Sequence, residues 1–186
     1  MKKFISVVSV MFLVVALIGC GEVALSRGTI EDGVYRSDIS GLTFTIPDNW
    51  YAVDDAQIKE AYSYSSPTNA ELQETKGLYY FLDATFWDST QGKNVMSIYY
   101  TTIYNGITDE QLKTRKSAEV SNVTFGEVSY FEIGEIKWAK IHGEGTDRNY
   151  YFAWRCDVSK GPREVLYIQT TDTETCDILL SGLSYS

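Results

Sequence analysis

Histidine occurs once, at His142, and that narrows the chemistry open to this 186-residue chain. Acyl transfer by a serine or cysteine nucleophile ordinarily takes its base from a histidine. His142 closes the run Lys137-Trp-Ala-Lys-Ile-His142, just ahead of Gly143-Glu-Gly145, and reads as the surface end of a strand. The many serines form no G-x-S-x-G elbow and no S-x-x-K. Zinc sites draw on several histidines or paired cysteines, and neither pattern is present, so no metal and no cofactor is expected. Carboxylates remain. Asp83 and Asp88 flank Phe86-Trp87, and Asp172, Glu174 and Asp177 gather toward the C-terminus. Glycoside hydrolysis needs two carboxyls about 5–9.5 Å apart across a cleft, a separation that spacing along a chain does not define. Acids at a helix start already have a reason to be there, the macrodipole. Of the four tryptophans, Trp154 beside Phe152 reads as core. Trp87, at a strand end in Thr85-Phe-Trp-Asp88, is the candidate for an exposed ring that contacts a ligand. Lys113, Arg115 and Lys116 form the one basic cluster, read as a solvated helix face or a docking patch for an acidic partner.

Three cysteines complete the inventory: Cys20, Cys156 and Cys176. Cys20 follows Lys2-Lys3, an uncharged stretch from Phe4 to Ile18, and Gly19. That stretch is shorter than the roughly 20 apolar residues a permanent span requires, and its flanks suit a secretory signal. Its ending, Leu17-Ile18-Gly19-Cys20, resembles the bacterial lipobox. The resemblance implies a signal peptide over residues 1–19 and a lipidated Cys20 at the mature N-terminus. It further implies attachment to a cell membrane on its extracytoplasmic face. Removal of residues 1–19 leaves 14 basic against 25 acidic side chains, a formal charge of −11. Such a chain is repelled by nucleic acid and by anionic head groups, so none of its partners is expected to be a nucleic acid. Acyl chains, at about 0.8 kcal/mol per buried CH₂, would have to supply the membrane affinity.

With Cys20 lipidated, Cys156 and Cys176 are left as a natural disulfide pair outside the cytosol. The alternative is two separate buried thiols. Their spacing is far from the C-x-x-C of redox enzymes, so a bond between them would be structural. Cys156 shares a strand face with Phe152 and Trp154. Cys176 heads the stripe Cys176, Leu179, Leu180, Leu183 at i, i+3, i+4 and i+7. A helix packed on that strand face would bring both sulfurs into one interface.

The elements that must position these groups are legible as a strand-rich pattern. Residues 20–32 lack periodicity and read as a tether, followed by one α+β domain over 33–186. Leu42, Phe44 and Ile46 alternate with threonines, a half-buried strand. Asp54 with Gln57, and Thr108 with Gln111, make two capping boxes, stapled by Val53 to Ile58 and by Ile107 to Leu112. Further strands are predicted over 78–87, 94–104, 123–133, 136–142, 149–157 and 163–170. A last helix is predicted near Thr171, with Glu174 in the capping-box position and Gly182 at its C-terminal end. Residues 65–76 read as a polar loop. Short turns between neighbouring strands predict antiparallel pairing. The doublets Tyr79-Tyr80, Tyr99-Tyr100 and Tyr150-Tyr151 put a ring on each side of their strands, so both faces of the sheet need covering, by helices or by a ligand.

The segment Gly41-Leu-Thr-Phe-Thr-Ile-Pro-Asp-Asn-Trp50, with the element order around it, resembles the PsbP-like family. That family is named for an extrinsic protein of the photosynthetic oxygen-evolving complex. The resemblance implies a central antiparallel sheet of about six strands sandwiched between helices. It implies no shared catalytic residues, and its better-known members are accessory or binding proteins. The expectation is therefore an accessory or binding module of the cell envelope, with an envelope protein as possible partner. An envelope hydrolase using carboxylates or His142, or a binder of glycan or small ligand through exposed aromatics, are the rivals.

Overall fold

The computed structural model describes residues 27–61, 80–89, 93–157 and 162–186. The signal segment, Cys20 and the loop read over 65–76 lie outside them. Two antiparallel sheets and three short helices make up the described part. The strands are β1 (Thr29–Glu31), β2 (Val34–Arg36), β3 (Leu42–Thr45), β4 (Trp50–Ala52), β5 (Tyr80–Asp88) and β6 (Val95–Thr101). There follow β7 (Thr124–Phe125), β8 (Ser129–Ile133), β9 (Ile136–Glu144), β10 (Asn149–Arg155), β11 (Arg163–Thr170) and β12 (Leu183–Tyr185). The helices are α1 (Asp55–Ala61), α2 (Asp109–Glu119) and α3 (Thr173–Ser181). The large sheet runs β4-β5-β6-β11-β10-β9-β7, with β8 also pairing β9, and the small sheet runs β1-β2-β3-β12.

Sequence expectations meet this architecture unevenly. Antiparallel pairing holds throughout. The single sheet of about six strands is replaced by two sheets and twelve strands, so the described fold is sheet-dominated and only loosely α+β. The extra strands β1, β2, β4 and β12 are three residues long. Runs that short show no periodicity; β4 and β12 are created by pairing with distant β5 and β3, whereas β1 and β2 form a local hairpin. β1 and β2 close through Asp32-Gly33, both at positive φ (50° and 76°), the two-residue hairpin geometry matched to strand twist. β1 thus lies within the segment read as tether. The stretch expected as one strand over 123–133 is broken into β7 and β8.

Each face of the large sheet carries its own apolar cluster. On the first face Phe81, Phe86, Met96, Ile98, Trp138, Leu166 and Ile168 pack under Tyr35, Leu42, Phe44 and Leu183 of the small sheet and Cys176 and Leu179 of α3. On the second face Leu82, Tyr99, Ile141, Phe152, Trp154 and Val165 pack under Val53 and Ile58 at α1 and Leu112 of α2. Tyr99 and Tyr150 face the second cluster while Tyr100 and Tyr151 face the first, as the alternation of strand side chains requires. Both faces are covered, one largely by a second sheet.

Local signals set the helices. Gln57 N donates to Asp54 Oδ1 at 2.8 Å, and Gln111 N to Thr108 Oγ1 at 3.3 Å with the reciprocal Thr108 N to Gln111 Oε1 at 2.8 Å. α3 starts one residue later than expected. Asp172, not Thr171, is its N-cap and accepts from Thr175 N at 2.7 Å. A carboxylate competes better than a hydroxyl for those orphan donors and for the helix dipole, and these bonds hold Asp172 below the usual carboxylate range.

Candidate functional site

The most chemically dense part of the molecule lies between the two sheets, and it begins with a defect in β5. Leu82 pairs with Tyr99 and Ala84 with Ile98, so Asp83 is an inserted bulge residue. Alternation from Phe81 puts Asp83 on the first face, and the bulge lets Ala84 and Phe86 follow on that same face. Phe81, Ala84 and Phe86 all face the first cluster, and Asp83 is turned inward with them, 2 % exposed. Glu164 arrives by ordinary alternation, on the same side of β11 as Leu166 and Ile168, and is equally buried.

Hydroxyls brought by the small sheet connect these two acids. Asp83 accepts from Gly28 N at 2.8 Å and from Ser37 Oγ at 2.6 Å. Ser37 Oγ lies 2.7 Å from the Tyr100 hydroxyl, which lies 2.7 Å from Ser40 Oγ. Glu164 Oε1 is 2.6 Å from both Tyr100 OH and Ser40 Oγ, and Glu164 Oε2 accepts from Tyr185 OH at 2.6 Å. Ser37 and Ser40 stand in the β2–β3 connection, Tyr185 on β12, Tyr100 on β6. The network therefore stitches the small sheet to the large one. Burial raises the pKa of Asp83 and of Glu164 against the opposing pull of their hydrogen bonds, of Arg27 near Asp83 and of Arg155 near Glu164. Burial also raises Tyr35, Tyr100 and Tyr185, reinforced by the neighbouring acids. Such a chain can store and pass protons.

Two of its members, Ser37 and Ser40, carried no signal in the sequence. Glu164 was missed as well, although period two places it on the side of Leu166 and Ile168, an acid pointing inward. Asp83 was singled out beside Asp88, yet the two part company. Asp88, 3 % exposed, takes Asn94 N at 3.3 Å and Asn94 Nδ2 at 3.1 Å and closes the β5–β6 connection. Asp172 caps α3, and Glu174 and Asp177 are exposed on it. Among the described residues no group of three His, Cys, Asp or Glu could hold a metal ion.

The other sequence candidates are distributed over the molecule. His142, on β9, stacks on Tyr151 with centroids 4.4 Å apart and planes within 5°, and its Nε2 donates to Asn149 Oδ1 at 3.0 Å. Burial, with Cys176, Asp177 and Asp172 nearby, pushes the Tyr151 phenol up to about 12. Trp87 is half-buried against the second cluster, edge-on to Tyr51 at 6.4 Å, and Tyr51 is the exposed ring of that pair at 40 %. Trp50 and Trp138 are buried in the first cluster and Trp154 in the second, where its Nε1 donates to Asp109 Oδ1 at 2.7 Å.

The basic cluster of α2 is met by acids at close range. Lys113 pairs with Glu127 at 3.1 Å and Arg115 with Glu119 at 3.5 Å. Lys116 is 4 % exposed, 2.6 Å from Glu119, and sits 4.8 Å from the ring centroids of Tyr104 and of Phe152. Cys156 and Cys176 are free thiols. Cys156 does share the face of Phe152 and Trp154, but α3 covers the opposite face and carries Cys176 into the first cluster. The two cysteines thus belong to different apolar clusters.

No family model matches the chain, and no curated protein matches it.

Proposed function

We propose that this chain is a lipid-anchored module on the extracytoplasmic face of a membrane, acting by binding a partner in the cell envelope. The observation that carries the reading is Leu17-Ile18-Gly19-Cys20 at the end of an uncharged signal-like stretch. The early start of the fold agrees with it. β1 begins at Thr29, so the chain from Cys20 reaches at most about 30 Å at 3.3–3.6 Å per residue, and the body works close to the bilayer. Binding rather than catalysis is supported by where the reactive groups are spent. Asp83 and Glu164 are sealed between sheets, and His142 is stacked and hydrogen-bonded. The PsbP-like likeness belongs to the same reading. It is supported by β3 running through Pro47 into buried Trp50 and then into α1. No helix among the described residues is long and apolar enough to cross a membrane, and the acyl groups would be the attachment.

The test is Cys20→Ala in cells fed a clickable fatty acid. Wild type should label and run as the processed form, and the variant should lose label and accumulate as precursor. Equal labelling of both would overturn the anchor. Crosslinking the wild-type protein in cells should then capture an envelope protein that the variant does not.

A further inference from the structure

The hydrogen bonds of the inter-sheet network outnumber the protons its hydroxyls can supply. Six oxygen–oxygen hydrogen bonds of 2.6–2.7 Å join Asp83, Ser37, Tyr100, Ser40, Glu164 and Tyr185. Four of those residues are hydroxyls, and each hydroxyl has one proton to give. With both carboxyls ionised, two of the six oxygen pairs face each other without a proton. One proton on either acid leaves one such pair. A proton on each acid fills all six, with Asp83 donating to Ser37, Ser37 to Tyr100, and Tyr100, Ser40 and Glu164 donating around a ring. The Tyr35 phenol also faces Asp83, but it brings its own proton and leaves the deficit unchanged. Unprotonated oxygens at that separation repel, and this interior offers little solvent to screen them.

We infer that the folded protein holds carboxylic-acid protons on the Asp83–Glu164 network near neutral pH, and that losing them loosens the small sheet from the large one. The titratable and charged groups facing Asp83 are Arg27 and Tyr35 from the first hairpin region, with Tyr100 of β6 reached through Ser37. Those facing Glu164 are Tyr100, Tyr185 from β12 and Arg155 from β10. Arg155 is already bound by Asp157 at 2.6 and 3.1 Å, which leaves burial to dominate. The sign follows. A folded-state carboxyl raised above its unfolded value of about 4 binds a proton more tightly when folded. Its contribution to stability is complete below that unfolded value and is lost as pH climbs through the folded one. The small sheet, the part nearest the N-terminal segment, would therefore open toward alkaline pH and tighten toward acid. The inference concerns the fold and stands or falls apart from the anchor.

Infrared spectra of the full-length wild-type chain decide the first half without any variant. A buried acid carbonyl band should be present at pH 7, should shift in deuterium oxide and should vanish at high pH. Hydrogen exchange decides the second. Protection factors of β1, β2, β3 and β12 should fall with rising pH, about tenfold for each unit by which a folded carboxyl is raised, while those of β9 and β10 fall much less. Asp83→Asn and Glu164→Gln should each remove part of the band and flatten that slope. An empty acid-carbonyl region at pH 7, or protection of the small sheet that does not depend on pH, would overturn the inference even if both variants fail to fold.

Discussion

The two faces of the large sheet are closed by different physics. On the second face, α1 and α2 lie over Leu82, Phe152, Trp154 and Val165 through stapled apolar residues. A deeply buried charge there, Lys116, stays within 2.6 Å of a half-exposed glutamate. On the first face an apolar cluster of similar make-up is bordered by a polar seam, Asp83 to Glu164, in which every oxygen depends on its neighbour's proton. Apolar burial is non-directional and insensitive to pH. A buried hydrogen-bonded seam adds registry, at the risk that one missing partner strands the rest. The helices can settle approximately. The small sheet must settle in one place.

The largest expected effect separates the faces by reactivity. Cys176 is fully buried on the first face, and burial pushes its thiol up to about 12. Cys156, half-buried on the second face, is raised too, first by burial and then by Asp109. A shift from 9 to about 12 lowers the thiolate fraction about a thousandfold below pH 9. A thiol reagent applied to folded, unreduced protein should modify Cys156 and spare Cys176 until denaturant is added. The intact mass before labelling should be that of two free thiols. A mass two hydrogens lighter would show the two residues linked, and the faces would no longer be separate compartments.

Gly28→Ala comes next, aimed at the seam. A Cβ at Gly28 would meet the backbone oxygen of Arg36 and come within 2.5 Å of the Tyr35 ring. Both belong to β2, and the first is backbone that cannot swing aside. Relief requires moving β1, which withdraws the Gly28 N–H from Asp83. Overpacking of this kind costs about 1–3 kcal/mol, measured as a lowered denaturant midpoint at unchanged m-value. Because the lost bond favours the ionised acid, the variant should also hold its Asp83 proton to higher pH. Wild-type stability would mean that the small sheet settles as loosely as the helices do.

The second face was far more legible in sequence than the first, and the reason is the range of the interactions. Asp54 with Gln57 and Thr108 with Gln111 are bonds across three residues, so capping chemistry reveals them. The long strands β5, β6, β9, β10 and β11 show in apolar runs. The seam joins Gly28 to Asp83 and Ser40 to Glu164, across 55 and 124 positions. β12 exists only because Leu183, Ser184 and Tyr185 find Phe44, Thr43 and Leu42. The bulge that sets Ala84 and Phe86 on the same face as Phe81 and Asp83 leaves no mark in Tyr80-Phe-Leu-Asp-Ala-Thr-Phe. Glu164 was missed although its side-mates Leu166 and Ile168 mark it as an inward acid.

The smallest expected effect tests the helix-covered face at its buried lysine. Lys116 Nζ lies over the rings of Tyr99, Tyr104 and Phe152 and donates to Glu119. Lys116→Met keeps an unbranched side chain and gives up the ammonium's contacts with the rings, which a thioether partly replaces because it too packs well against aromatics. Glu119 is not stranded by the change, because its side chain is 42 % exposed and Arg115 remains 3.5 Å away. Replacing a buried ion pair by an apolar side chain of similar shape is often neutral or stabilising when no partner is left buried and unpaired. The midpoint of urea unfolding should therefore move by less than about 1 kcal/mol equivalent, in either direction. Its dependence on salt should weaken, because a charge pair has been removed. A loss above about 2 kcal/mol would place Lys116 among groups whose removal strands a neighbour. The second face would then share the first one's dependence on exact polar partners, and the contrast between them would fail.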